Sequence, residues 1–445
     1  MLTYIIFGVA ASIFGYCLIY KPQIVACLFF TILIADINFD LAGVSFRGLV
    51  GILIFFRTLI PDPGFKYPSI LRTPAKYIYF LIFYTILVTS AYDLATPQFV
   101  KITGQVFIAV FCGYYYYVRN GDYRILKISL MAAGLICVAD LAYTYVAVGT
   151  FPVQRIYQTL LKIPQELDEN GDFLEVINHN FYGQVCAMCF VFLLHEFIIK
   201  RKGGYLLTLF LPIMFLGVLM STSRSSLLGM IGISILLLVQ LFKSKGGAAL
   251  ATKIILLGIG TIAVSIVTFL FLQEVLNLRS DFVYRISLRL VDEPIAVLNK
   301  KLGLNYNAQA LDAMDWREEA SADAFGAYLN LKPIEQIFGI GFWGFVVRNL
   351  GHSNLPPHNG FLLLLIESGL LGLLVYLGLT YSIISRSWKY IKGGSPSVTV
   401  VIFLLIYCIG QNGELTSGST FLFIITAISE LACLSLQNKV SLKAV

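Results

Sequence analysis

Runs of about twenty apolar residues, the length that spans the hydrocarbon core of a bilayer, recur along the whole chain. They fall near 2–20, 23–39, 47–60, 77–95, 99–118, 125–149, 179–199, 204–221, 225–242, 254–276, 358–385, 398–413 and 417–436. In lipid the backbone of such a run must satisfy its own hydrogen bonds, so each is expected to be a helix. Barrel strands would be about ten residues of alternating character, and these runs are longer and unbroken. Composition agrees: 13% of the 445 residues are charged, against roughly 25% in soluble globular domains. The expected fold class is an all-α polytopic membrane protein of about 12–14 transmembrane helices. The spread arises because the third run is short and carries Arg57. Residues 1–445 are expected to form a single integral membrane domain. The first run has no basic flank and no small-residue cleavage site, so it is expected to be retained rather than removed as a signal peptide.

All eight cysteines lie inside apolar runs, which argues against a disulfide framework. Cys186 and Cys189 have redox or zinc spacing but no second pair. They read as small buried packing residues.

Short loops assign orientation through their lysines and arginines. Lys66, Arg72 and Lys76; Arg119, Arg124 and Lys127; Lys200, Arg201 and Lys202; Lys243, Lys245 and Lys253; Arg386, Lys389 and Lys392; and Lys439 and Lys443 all fall on one side if the helices alternate. That side is expected to be the cytoplasm. The other side receives the acidic loop 150–178, the turn 221–226, the long segment 277–357 and the stretch 411–419. The long segment carries eight basic and nine acidic residues, and its length exempts it from the charge rule. It is expected to be a large periplasmic loop whose helical stretches, such as 308–329, pack over the membrane domain as a lid.

Three features on that outer side can meet a phosphorylated lipid. The turn Ser221-Thr222-Ser223-Arg224-Ser225-Ser226 presents hydroxyls, a guanidinium and the free N–H groups of the following helix together. This combination suits a phosphate, and arginine at membrane depth is costly without a partner. Arg317 stands early in a helix of the long loop, in Met314-Asp315-Trp316-Arg317-Glu318-Glu319. His358 follows two prolines in Pro356-Pro357-His358-Asn359-Gly360, at the mouth of an apolar helix that proline favours starting. An imidazole there can exchange a proton near neutral pH. His179 and Asn180 begin another helix on the same side and are candidates for contacts to sugar hydroxyls. Lys101, near the outer end of its helix, is a further candidate cation.

In this order and topology these residues resemble the O-antigen ligase and O-antigen polymerase superfamily of bacterial envelope glycosyltransferases, over roughly residues 175–385. The resemblance rests on Asn178-His179-Asn180, on Ser223-Arg224-Ser225 before a large loop, and on Arg317 leading through Ala324-Phe325 and Pro333 to Gly339-Ile340-Gly341. It ends with His358-Asn359 and the Glu-x-Gly-x-x-Gly of Glu367 to Gly372. One departure is Ser321, where the family often has tryptophan.

The resemblance implies transfer of a glycan from an undecaprenyl-diphosphate-linked donor to an acceptor hydroxyl, without metal or cofactor, at the periplasmic face of the inner membrane. Arg224 and Arg317 would bind the diphosphate, and fixed cations in a partly dry site stabilise the charge that the leaving group gains. His358 would be the general base, and Ser223, Ser225, Asn180, His179, Asn359 and Lys101 are candidate substrate contacts. The favoured activity is polymerisation of O-antigen, capsule or exopolysaccharide repeat units; the alternative is a ligase that moves polymer onto lipid A-core. Flippase and chain-length regulator proteins are candidate partners, and no nucleic acid is expected. A transporter would predict an inverted repeat and charges at mid-membrane; the sequence shows no repeat, and its informative charges sit at the outer rim. Glu367 is expected to lie about 13 Å deeper than His358 on a regular helix, facing away from it.

Two patterns point elsewhere and are set aside. Gly339-Ile340-Gly341-Phe342-Trp343-Gly344 spells a dinucleotide fingerprint but lacks the strand–turn–helix context; its glycines suggest close backbone approach to the membrane surface. Asp36 and Asp40 could hold a divalent ion, but the family carries no metal there.

Overall fold

A computed structural model of the chain describes residues 12–37, 40–41, 44–60, 75–92, 94, 97–120, 123–148, 155–156, 177–199, 204–242, 292–305, 312–342, 344–348, 350, 357, 359–390, 395–410 and 420–430, with isolated positions between 252 and 271. The helices are α1 (Ser12–Tyr20), α2 (Pro22–Ile34), α3 (Phe46–Leu59), α4 (Ala75–Ala91), α5 (Pro97–Asn120), α6 (Arg124–Val148), α7 (His179–Ile198), α8 (Gly204–Ser221), α9 (Arg224–Phe242), α10 (Glu293–Lys301), α11 (Asp312–Leu329), α12 (Pro333–Phe338), α13 (Gly344–Val347), α14 (Gly360–Tyr390) and α15 (Pro396–Tyr407), then α16 (Thr420–Glu430). The only described strands are two-residue antiparallel pairs: β1 (Asp40–Leu41) with β2 (Val44–Ser45), and β3 (Arg155–Ile156) with β4 (Ile177–Asn178). The second pair closes the base of the acidic loop.

The protein is an all-α polytopic membrane protein. Each expected run contains a helix among the described residues, except 254–276, of which only isolated positions are described; 2–11, 411–413, 417–419 and 431–436 of the other runs also lie outside the described residues. Among the described residues, Arg124–Thr144, Asn180–Ile198, Arg224–Phe242 and Gly360–Trp388 are long and apolar enough to cross a membrane. A fifth span forms if α1 and α2, bent by 112°, count as one. Several other runs give shorter apolar helices, such as Leu209–Ser221 and Pro396–Tyr407. The bend falls at Lys21, where Pro22 opens α2; proline has no N–H to continue the preceding ladder but fits a first turn.

Two compact units are distinguished. The first comprises 1–133, 375–398 and 416–445, and the second 134–374 and 399–415. In the first, Phe55 of α3 meets Phe107 and Phe111 of α5 edge-on. The Ser129 hydroxyl lies 2.8 Å from Ile125 O and 3.1 Å from Cys27 O, linking α6 to α2. Asp36 pairs with Arg47 at the end of α2, so this carboxylate already has a cation.

The second unit is built on α7, flanked by α8 and α9. Its middle, from Val185 to Leu193, is almost wholly buried, as expected of a helix that is apolar all round. Without a hydrophobic drive in lipid, such helices associate through small residues at close approach. Cys186 does this: a Cβ on Gly217 of α8 would lie 2.6 Å from its Sγ. Both Cys186 and Cys189 are buried free thiols.

The long loop packs on the start of α14. Ala324 of α11, Ile340, Phe345 of α13 and Ile366 of α14 form a buried cluster, with Tyr328, Leu331, Leu350, Leu362 and Leu363 around it. α14 is not the regular helix expected over 358–385. Gly369 has φ 67° and ψ −179°, which breaks it. At a helix break the last carbonyls lack donors, and here Ile340 N–H donates to Ile366 O (3.2 Å) and Gly341 N–H to Glu367 O (2.9 Å). A Cβ on Gly339 (φ 83°) would lie 2.3 Å from Glu367 O, and one on Gly369 would lie 2.3 Å from Ile337 O. The glycines of 339–341 therefore serve a close backbone approach, but to the α14 break rather than to a membrane surface. Glu367 stands in the last turn before that break, half-buried.

The loop also carries an ion pair. Arg348 Nη1 donates to Glu335 Oε1 (2.9 Å), and the Lys332 N–H donates to Glu335 Oε2 (3.2 Å). The Arg348 hydrogen bond, opposed by burial, holds the Glu335 carboxyl below the ordinary glutamate range.

Gly339→Ala and Gly369→Ala should each cost at least about 3 kcal/mol, read as a lowered melting temperature. Gly378→Ala, with nothing within 4 Å of its added methyl, should be neutral or slightly stabilising. Because the folded pKa of Glu335 is depressed, its stabilisation is present above the ordinary glutamate pKa of about 4.3 and is lost as pH falls below it. Wild type should resist pepsin within 293–348 better than Glu335→Gln at pH 5.5, and the difference should shrink as pH falls below about 4.3.

Candidate active site

Four chain segments meet at one end of the second unit. They are the α8–α9 turn, the start of α7, the start of α14 and the end of α15. They adjoin the segments that alternation of the helices assigns to a common side.

The turn is set by its own hydroxyls. Ser221 Oγ donates to Val218 O (2.7 Å) and accepts from the Ser223 N–H (3.2 Å). Ser223 Oγ lies 2.8 Å from Ser226 Oγ and 3.4 Å from the Ser226 N–H, which donates to it. Ser223 thus occupies the N-cap position of α9, where a side-chain oxygen satisfies an orphan N–H. Between them Thr222 has φ 51°, a left-handed conformation costly for a β-branched residue. Its buried Oγ1 has no hydrogen-bond partner among the described residues. Ser225 is half-buried and faces Gly410, where an added Cβ would lie 2.8 Å from its Oγ.

α7 seats against this turn through Gly183. A Cβ there would lie 2.2 Å from Ser221 Oγ and 2.8 Å from Ser223 Cβ, so only glycine lets the helix and the turn approach this closely. One residue earlier, the buried Tyr182 hydroxyl donates to the buried Asp140 carboxylate of α6. Asn180 is buried, and its backbone oxygen accepts from the Tyr407 hydroxyl of α15 (3.3 Å). The Gly360 N–H, at the start of α14, donates to Cys408 O (2.8 Å). Asn359 caps α14: its Oδ1 accepts from the N–H groups of Phe361 (3.0 Å) and Leu362 (3.1 Å).

Arg224 is not an open cation. Its guanidinium pairs with Glu293, the first residue of α10, and their side chains are 12% and 7% exposed. The charges compensate each other in a setting where either alone would be costly.

The structure therefore brings Arg224, Ser223, Ser225, Asn180 and Asn359 to one end of the unit. Two of these have structural tasks as well, Ser223 as the cap of α9 and Asn359 as the cap of α14. Arg317 lies on α11 and His179 opens α7, but their side chains are outside the described residues, as is His358. Lys101 lies on α5 in the first unit, with its side chain likewise outside them. Among the described residues no group of three His, Cys, Asp or Glu side chains could hold a metal ion.

The sequence reading missed Glu293, Gly183 and the Asp140–Tyr182 pair. Asp140 carried a signal, because an acid inside an apolar run needs a partner. Glu293 before Pro294 marks a helix start but says nothing of which cation it meets.

Gly183→Ala should push the serine turn from its place. The expected result is a loss of activity of up to about a hundredfold, the effect of a 1 Å misplacement, with expression retained.

Among curated proteins none matches this chain. A family model described as O-antigen ligase matches residues 209–377. That stretch, which is similar to the O-antigen ligase family, holds the serine turn, the long loop and the start of α14.

Proposed function

We propose that this protein transfers glycan from an undecaprenyl-diphosphate-linked donor to a sugar hydroxyl, as a polymerase of O-antigen, capsule or exopolysaccharide repeat units. The observation that carries the reading is the meeting of the Ser221–Ser226 turn with the starts of α7 and α14; the turn and the start of α14 lie within residues 209–377, which match the O-antigen ligase family, and α7 precedes them. His358 immediately precedes the Asn359 cap of α14 in sequence, so the residue proposed as base belongs to one of these converging segments.

In this reading Arg224 and Arg317 meet the charge that grows on the diphosphate as the glycosidic bond breaks. Fixed donors in a partly dry site stabilise such charge better than water does. His358 takes the proton from the attacking hydroxyl, which suits an imidazole with a reference pKa of about 6.5. The sugar passes through an oxocarbenium-like transition state. No metal is used. The side that holds this chemistry is the periplasmic face of the bacterial inner membrane, because the short lysine- and arginine-bearing loops belong to the opposite side.

The similarity of residues 209–377 to the O-antigen ligase family favours a second reading, in which the finished polymer is transferred to lipid A-core. Purified protein given lipid-linked repeat units alone should make longer chains; a strict need for lipid A-core would replace the polymerase by the ligase. His358→Ala should lower either transfer by at least about a hundredfold with an unchanged melting temperature, and chelator should leave the wild-type rate unaltered. Normal transfer by His358→Ala would remove the general-base assignment.

A further inference from the structure

A guanidinium as buried as that of Arg224 must keep an anion beside it, and in this structure the anion belongs to the chain itself. Glu293 supplies it from the first residue of α10. A carboxylate and a phosphate offer arginine the same pair of acceptor oxygens. With 12% of the Arg224 side chain exposed, the guanidinium has little free surface for a second anion while Glu293 stays. The same turn also holds the Thr222 hydroxyl, buried and without a hydrogen-bond partner among the described residues. Within α10, Glu293 and Ala296 are buried, whereas Ile295, Leu298, Lys300 and Lys301 are exposed.

We infer that the Glu293 carboxylate occupies, on Arg224, the place of the donor's diphosphate, and that donor entry expels it and releases the start of α10. The inference rests on the reading of Arg224 as a diphosphate-binding residue and adds what keeps that site closed without donor. The exchange is of anion for anion, so Arg224 is compensated in both states and its dehydration is not repeated when donor binds. The donor must displace a tethered competitor, which lowers its apparent affinity by the fraction of molecules in which the site is open. A diphosphate, with more negative charge than one carboxylate, is suited to win that competition. A neutral or singly charged lipid headgroup is not, so the contact also selects the donor. Because Glu293 and α10 belong to the long loop, donor binding is signalled to the segment that leads into α11.

The test uses the full-length protein in lipid nanodiscs with undecaprenyl diphosphate as the probe. Glu293→Gln keeps the shape and removes the competing charge. If this variant melts as wild type does, it should bind the probe about tenfold tighter; equal or weaker binding overturns the inference. If the variant is destabilised, wild type alone decides. Saturation with probe should speed amide hydrogen exchange of residues 295–301 at least about fivefold, and unchanged or slower exchange overturns the inference. Wild type that does not bind the probe at all would overturn the diphosphate reading of Arg224 and this inference together. Binding without these responses would overturn the inference alone.

Discussion

At Gly339 and Gly369 two backbones approach so closely that neither position has room for a side chain. The break this permits in α14 leaves the carbonyls of Ile366 and Glu367 without helical donors, and the N–H groups of Ile340 and Gly341 fill the gap. An unsatisfied backbone group in an apolar setting is expensive, so the long loop and the broken helix need each other. The short segment before the break then carries Leu362, Leu363 and Ile366 into the apolar cluster of the loop. Its first residues, Asn359 and Gly360, are held by the cap and by Cys408 O. The segment that follows His358 is thus fixed at both of its ends.

The serine turn is positioned by the same kind of constraint. Gly183 lets α7 lie directly on Ser221 and Ser223, and the hydroxyls of the turn are used largely to hold its own shape. In the proposed reading, a turn that holds its own shape in this way offers the preorganised donors that electrostatic stabilisation of a leaving group requires. The Arg224–Glu293 pair adds a counterweight. The cation is kept buried by an internal anion, which in the proposed reading the donor's diphosphate displaces.

Much of this was legible in the sequence because lipid imposes simple rules. Apolar runs of about twenty residues become helices, and α7, α8 and α9 begin and end within one residue of the expected positions. The turn 221–226 and the start of α14 were marked by polar residues that have no reason to interrupt apolar helices. The break at Gly369 was not legible. A glycine in an apolar run is as compatible with close helix packing as with a positive φ, and the stretch that fills the break lies about thirty residues away in sequence. The partner of Arg224 was hidden for the same reason. Glu293 is sixty-nine residues downstream, and nothing local distinguishes it from the other acids of the long loop. Asp140 was visible as an acid in an apolar run, but its hydroxyl partner Tyr182 depends on how α6 and α7 pack.

The central claim is that the lipid diphosphate is handled at the end of the second unit where α7 and α14 begin and α8 meets α9. A donor analogue carrying a photoreactive group next to its diphosphate, cross-linked to the protein in native membranes and mapped by mass spectrometry, tests it directly. Labels should fall within 179–183, 221–226 and 357–360. Labels concentrated instead at the opposite ends of these helices, around 195–199 or 204–208, would contradict the account.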